Sequence, residues 1–198
     1  MGVGLALGIM SYMSNVRDEK ASGLFAVALE SYEGAIGEPI EGAKDTGPRF
    51  ATEKERAQKA RELFMKVEST EASSGVAILA QLYIGRTSMD LGEYDKALAA
   101  YRAFKSKTPT SDPLYFAGPD GEIAALDAKG EKAAALQALE ARVAANYKVA
   151  QDAALLSLAR MYKANGDKAK AKEQLTKMMA DFPESLLKTE ADQLLATL

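Results

Sequence analysis

The chain has 198 residues, 47% apolar and 27% charged, with a net charge of −3. That suits one compact domain or one short solenoid with a real core, and the mild negative charge argues against non-specific nucleic-acid binding, which needs a basic surface. There is no cysteine, histidine or tryptophan, which excludes thiolate and imidazole metal sites, histidine-ligated haem and every triad built on His or Cys. Ala and Leu dominate the apolar content while Val, Ile and Thr are sparse, so an all-α chain is expected before any pattern is sought.

Residues 1–16, MGVGLALGIMSYMSNV, carry no charge, and the first charge is Arg17. A membrane-spanning helix needs about 20 apolar residues, so the segment is slightly short. It lacks a basic start and a small-residue cleavage site, and fits a cleaved signal peptide poorly. Two readings stay open: the outer part of a membrane anchor whose beginning is missing or very short, or an apolar helix packing on the domain or on a partner copy. Gly4 and Gly8 are spaced to let helices approach closely.

Residues 17–75 are expected to form a first helix pair, one helix around 22–36 and another around 52–68, in which Ala60 and Phe64 pack together. The link over 37–49 carries Gly37, Pro39, Gly42, Gly47 and Pro48 and reads as a loop.

A period follows. Gly92, Gly130 and Gly166 each close a helical run and precede an acid or a charged pair, as Leu91-Gly92-Glu93, Lys129-Gly130-Glu131 and Asn165-Gly166-Asp167. Ala97, Ala135 and Ala171 come five residues after the glycines, and Tyr101, Leu139 and Leu175 four residues later. Glycine reaches positive φ without steric cost and so ends the first helix of a pair. The alanine lets the second helix come close, and the larger residue one turn on fills the groove on the same face. Pro109 and Pro183 stop two of the three second helices.

This pattern resembles the tetratricopeptide repeat (TPR) family. Residues 76–109 match it best, with Ile84-Gly85 at the paired Leu-Gly position, then Gly92, Ala97, Tyr101 and Pro109. Residues 152–183 match nearly as well through Leu155, Leu158, Ala159, Tyr162, Gly166, Ala171, Leu175 and Pro183. The middle unit, 114–147, is worn: Ile123 replaces a small residue and Tyr147 stands where proline is usual. The resemblance implies a right-handed superhelical solenoid of about four antiparallel helix pairs. Three TPR-like units span 76–183, and residues 184–198, with Leu186, Leu187, Leu194, Leu195 and Leu198, read as a helix capping the open end.

A helix-pair solenoid offers a concave face lined by the first helix of each pair. Aligned on the glycines, the partner-binding positions are Leu79, Leu82, Arg86, Met89 and Asp90, then Asp120, Ala124 and Asp127, then Leu156, Arg160 and Lys163. Arg86 and Arg160 fall at the same repeat position. The charges read either as surface ion pairs, Arg86 with Asp90 one turn on, or as a mixed-charge groove for a partner. The lysines from Lys163 to Lys177 read as a solvated helix face. Leu82 and Arg86 stand where one TPR subfamily clamps a C-terminal carboxylate with Lys and Asn, which argues against that activity.

No phosphate-binding glycine loop, nucleophile elbow or metal-ligand cluster is present in the sequence, so neither an enzyme nor a cofactor is expected. The overall plan is similar to single-pass envelope proteins, the YfgM-like group of ancillary Sec translocon proteins above all. That likeness implies an inner-membrane tether, a periplasmic domain, and partners among translocon components, envelope chaperones and exported proteins. The alternative is a soluble cytoplasmic scaffold that self-assembles into a homo-oligomer through its N-terminal helix.

Overall fold

The computed structural model describes residues 19–38, 47–70, 74–145, 147 and 149–198. The expected anchor or packing helix at 1–16 lies outside the described residues. Among those described, no helix is long and apolar enough to cross a membrane. They form nine helices: α1 (Glu19–Tyr32), α2 (Glu53–Thr70), α3 (Gly75–Asp90), α4 (Tyr94–Lys107), α5 (Ala117–Lys129), α6 (Lys132–Ala144), α7 (Gln151–Ala164), α8 (Lys168–Asp181) and α9 (Lys188–Leu195). Two compact units divide the chain, residues 1–121 and 122–198.

The repeat glycines behave as their positions predict. Gly92, Gly130 and Gly166 have φ of 71°, 87° and 80°. At each, the glycine N–H donates to the carbonyl three residues back, and the next residue's N–H donates to the carbonyl five residues back, at 2.9–3.0 Å. These paired bonds satisfy carbonyls that a helix end leaves open. The chain then reverses directly into α4, α6 and α8.

In the first unit, α1 packs on α2, α2 on α3 and α3 on α4. Its centre is aromatic. Phe25, Phe64 and Tyr83 are buried; Phe64 stacks on Tyr83 with centroids 4.8 Å apart, while Phe25 and Tyr32 meet Tyr83 edge-on at 5.6 and 5.4 Å. Such pairs add about 0.5–1.5 kcal/mol each beyond the area they bury. The link after α1, expected as plain loop, begins and ends in a two-residue parallel ladder, β1 (Ala35–Ile36) against β2 (Arg49–Phe50). Gly34 makes the approach possible: a Cβ there would lie 2.6 Å from the Phe50 ring and 2.8 Å from the Pro48 carbonyl oxygen. Between α2 and the start of α4, the Arg61 guanidinium donates to both carboxylate oxygens of Glu93 at 2.8 and 3.1 Å. With the help of Lys96, this holds the Glu93 carboxyl down to about 2.

Tyr101 of α4 shows what the repeat positions are for. Its buried ring lies against the backbone of Gly85 on α3, where a Cβ would fall 2.6–2.8 Å from the ring carbons. A Cβ on Gly121, at the start of α5, would come closer still to the same ring. The ring is therefore held between two glycines and cannot retreat from one without meeting the other. Gly85→Ala is expected to destabilise the first unit by about 1–3 kcal/mol through overpacking, measured as a lower urea midpoint followed by circular dichroism. Adding Tyr101→Leu to Gly85→Ala should return part of that loss.

The second unit buries Leu139, Leu155, Leu158, Tyr162, Leu175 and Met178 in one cluster, with α7 packed between α6 and α8. In the worn repeat, the residues after α6 do not use proline to stop the helix. Arg142, only 2% exposed, donates to the Gln151 side-chain oxygen at 2.9 Å and to the Val149 carbonyl at 2.8 Å, and its guanidinium lies 5.2 Å from the Tyr147 ring centre. Ala150 then enters α7 at a φ of 53°, a conformation alanine rarely adopts.

Candidate functional site

On α3, Leu79, Leu82, Tyr83 and Arg86 meet Leu114, Phe116 and Ala117 from the α4–α5 connection and the first residue of α5, enclosing an apolar pocket of about 40 Å³. One water needs about 10–15 Å³ on this measure, so the pocket has room for the end of one aliphatic side chain. Residues at i, i+3, i+4 and i+7 share one helix face, which is why 79, 82, 83 and 86 converge. Leu79 and Leu82 are 2% and 3% exposed and form the floor.

Arg86 is half-buried at the rim. Its guanidinium lies 5.3 Å from the centre of the Tyr83 ring beneath it. A cation over an aromatic face is attracted by the ring quadrupole. The sequence suggested a one-turn ion pair with Asp90; the guanidinium instead lies over Tyr83, three residues back on the same face. Met89 is half-buried and Asp90 exposed, farther along α3. Partial desolvation raises the Asp90 carboxyl above its usual range and Glu53 adds to the rise, while Arg56 and Arg86 oppose it. Burial pushes the Tyr83 and Tyr101 hydroxyls up to about 12, with Arg86 opposing it in both. Both tyrosines thus stay neutral around pH 7. The face offers an apolar cup, a fixed cation and a nearby carboxylate, a set suited to binding.

The remaining expected positions lie in the second unit. Asp127 is half-buried and accepts a hydrogen bond from the Lys132 ammonium at 2.7 Å. Leu156 is 1% exposed and belongs to the core. Arg160 is ion-paired with Glu190 of α9, and the Lys163 ammonium donates to the Thr197 hydroxyl at 2.5 Å. The sequence aligned Arg86 and Arg160, but α9 engages the second of them. Of the other two, Asp120 and Ala124, the first is half-buried and the second exposed.

An open cleft of about 600 Å³ lies on the same unit, where Glu140, Val143, Leu158, Tyr162, Glu173 and Lys177 line it. The Tyr162 hydroxyl donates to Glu140 at 2.6 Å. Among the described residues no group of three or more acids could hold a metal ion.

Sequence reasoning missed Tyr83, Leu114, Phe116 and Ala117. Tyr83 carried a signal, since it lies one turn before Thr87 and between Leu79 and Arg86 on the assigned face. The other three come from a connection whose path no periodicity describes.

Fold and site together define an all-α, TPR-like protein of antiparallel helix pairs. The tetratricopeptide repeat family model matches residues 79–111 and 153–185, the two units whose glycine, alanine and proline positions are intact. No curated protein sequence matches the chain as a relative. Among solved structures, the chain is similar to the nearly identical TPR-like repeats of a kinesin light chain-type protein of Podospora anserina, at 18% identity and a TM-score of 0.63, covering 90% of this chain and 84% of that one. It is also similar to two structures of MamA: one at 22% identity and TM-score 0.52, covering 72% of this chain and 86% of that one, the other at 23% and 0.52, covering 73% and 78%. At these identities the likeness concerns the fold.

Proposed function

We propose that the chain is a protein-interaction scaffold that holds a segment of a partner protein on the α3 face, with an apolar side chain in the Leu79–Leu82 pocket and an acidic group on Arg86. The observation that carries this reading is an apolar pocket with the Arg86 guanidinium among its lining, held over the Tyr83 ring. TPR matches at two stretches support it, because stacked helix pairs present such faces.

A tether through residues 1–16 in the inner membrane, with the repeats in the periplasm and translocon components, envelope chaperones or exported proteins as partners, extends the same proposal. Its support is the charge-free run and the similarity of plan to envelope proteins.

The test is in-cell photocrosslinking of the full chain with a photoreactive residue at Met89, at the rim beyond Arg86. A discrete adduct is expected, identified by mass spectrometry as another protein, and reduced at least tenfold by Arg86→Glu with the thermal melt unchanged. Adducts insensitive to Arg86→Glu sink the reading, and adducts to copies of this chain alone favour the self-assembling scaffold. Fractionating the same cells, with and without residues 1–16, checks the tether: membrane association that survives the deletion excludes it.

A further inference from the structure

Arg160 and Lys163 lie among the candidate groove positions, yet both are occupied from within the chain. The occupant is α9 and the residues around it. Arg160 pairs with Glu190, Lys163 donates to Thr197, and the Lys168 ammonium donates to the Leu198 carbonyl at 2.5 Å. Ala191 is fully buried, and Leu187, Leu194, Leu195 and Leu198 lie half-buried against the core cluster. The contact thus pairs leucines and a small buried residue on one helical face with a carboxylate that meets a basic rim.

The hold is thin. The helix has eight residues, and isolated helices shorter than about 12–15 residues are marginal in water. It is therefore helical because it is docked. Four of its five apolar anchors remain partly exposed. The turn leading into it, residues 182–187, is tied to α7 by a hydrogen bond from the Ser185 hydroxyl to Asp152 at 2.6 Å, while Leu186 within it is 99% exposed. Elements with few buried contacts open at the low end of a protein's local stability. Opening here frees three cations and an apolar surface together.

We infer that this surface of α7 and α8 is a helix-docking site, that α9 is its resident and displaceable occupant, and that the partner it fits is an amphipathic helix with the face of α9. The fitting pattern is Leu at the first position, Glu at the fourth, a small residue at the fifth, and Leu at the eighth, ninth and twelfth, as in residues 187–198. Arg160 reads the carboxylate. The small residue at the fifth position is required because its counterpart, Ala191, has no exposed surface. The site is separate from the pocket on α3, so either proposal can fail while the other stands.

The experiment uses the full chain and a fluorescein-labelled peptide of residues 184–198, read by anisotropy. In the native chain the tethered α9 competes at an effective concentration in the millimolar range, so the peptide should bind weakly. Ala191→Asp in the chain puts an unpaired carboxylate into the α9 contact and vacates the site; the native peptide should then bind at least tenfold more tightly. Arg160→Glu added to that chain should weaken the peptide at least fivefold, and Glu190→Lys in the peptide should restore most of the loss. An Ala191→Asp chain that keeps its helix content but binds the peptide no better than the native chain overturns the inference. If Ala191→Asp unfolds the chain, Glu190→Lys in the chain decides, since that side chain is exposed: a gain of at least threefold in native-peptide affinity supports the inference and no gain overturns it.

Discussion

Phe64→Ala is expected to destabilise the first unit by about 3–5 kcal/mol, the range for deleting a buried aromatic side chain. Phe64 has no exposed surface and contacts three other rings: Phe25 at 5.5 Å, Tyr32 at 6.4 Å and Tyr83 at 4.8 Å between centroids. Alanine would leave a cavity between α1, α2 and α3 that none of the three rings can fill without losing its own contacts. Phe64→Leu should cost less, because an aliphatic side chain restores most of the volume and only the ring geometry is lost. The chain has no tryptophan, so the measurement is urea unfolding followed by circular dichroism. A loss below about 1 kcal/mol in Phe64→Ala would show that the cluster collapses freely and does not act as a rigid centre.

The consequence for binding is specific. Tyr83 is stacked on Phe64, and the Arg86 guanidinium lies 5.3 Å from the centre of the same ring. Phe64→Ala removes the support under Tyr83, and with it the fixed position of the cation at the pocket mouth. Partner adducts formed through the α3 face should therefore fall in Phe64→Leu as well, although Phe64 touches no partner.

These contacts also mark where the sequence was legible. Gly92, Gly130 and Gly166 could be placed from the sequence because a helix cap is a local device, set within six residues. Gly85 and Tyr101 could be aligned because the repeat keeps their spacing, but that the ring is shared with Gly121 depends on where the next helix begins. The aromatic cluster joins residues 25, 32, 64 and 83, whose separations follow no period, and only the packing of α1, α2 and α3 reveals it. The Arg86 side chain had two neighbours on one face, Tyr83 and Asp90, and spacing alone could not choose between them. Arg160 could be aligned with Arg86 by its repeat position, while its pairing with Glu190 of α9 depends on how the turn at 182–187 folds back. Tyr147, noted only as a missing proline, turns out to be part of the device that replaces it.

That device gives the other large effect. Arg142→Met is expected to destabilise the second unit by about 2–4 kcal/mol. Methionine can follow the aliphatic stem of arginine, so little volume is lost; what disappears is the pair of donors. The Gln151 side-chain oxygen and the Val149 carbonyl then lack the bonds that Arg142 makes at 2.9 and 2.8 Å, and a buried acceptor left without a donor costs about 1–3 kcal/mol. The burden is unequal. Val149 is exposed and its carbonyl can take up water, whereas Gln151 is 2% exposed and cannot. Gln151 is also held from its other side, donating to the Val143 carbonyl at 2.9 Å, so it cannot swing out to solvent without orphaning a second group. Arg142→Met combined with Gln151→Leu removes donor and acceptor together and should recover more stability than the two single losses predict, because replacing both partners with apolar groups leaves fewer groups unmet. Hydrogen exchange locates the effect: in Arg142→Met, amides of the loop before α7 and of its first turn should exchange faster, since Gln151 is the first residue of that helix. Asp152 follows directly and accepts the Ser185 hydroxyl that anchors the turn before α9, so faster exchange should extend into α9. If instead Arg142→Met is as stable as the native chain, the arginine acts through its stem and the ring of Tyr147, and the hydrogen bonds contribute nothing net.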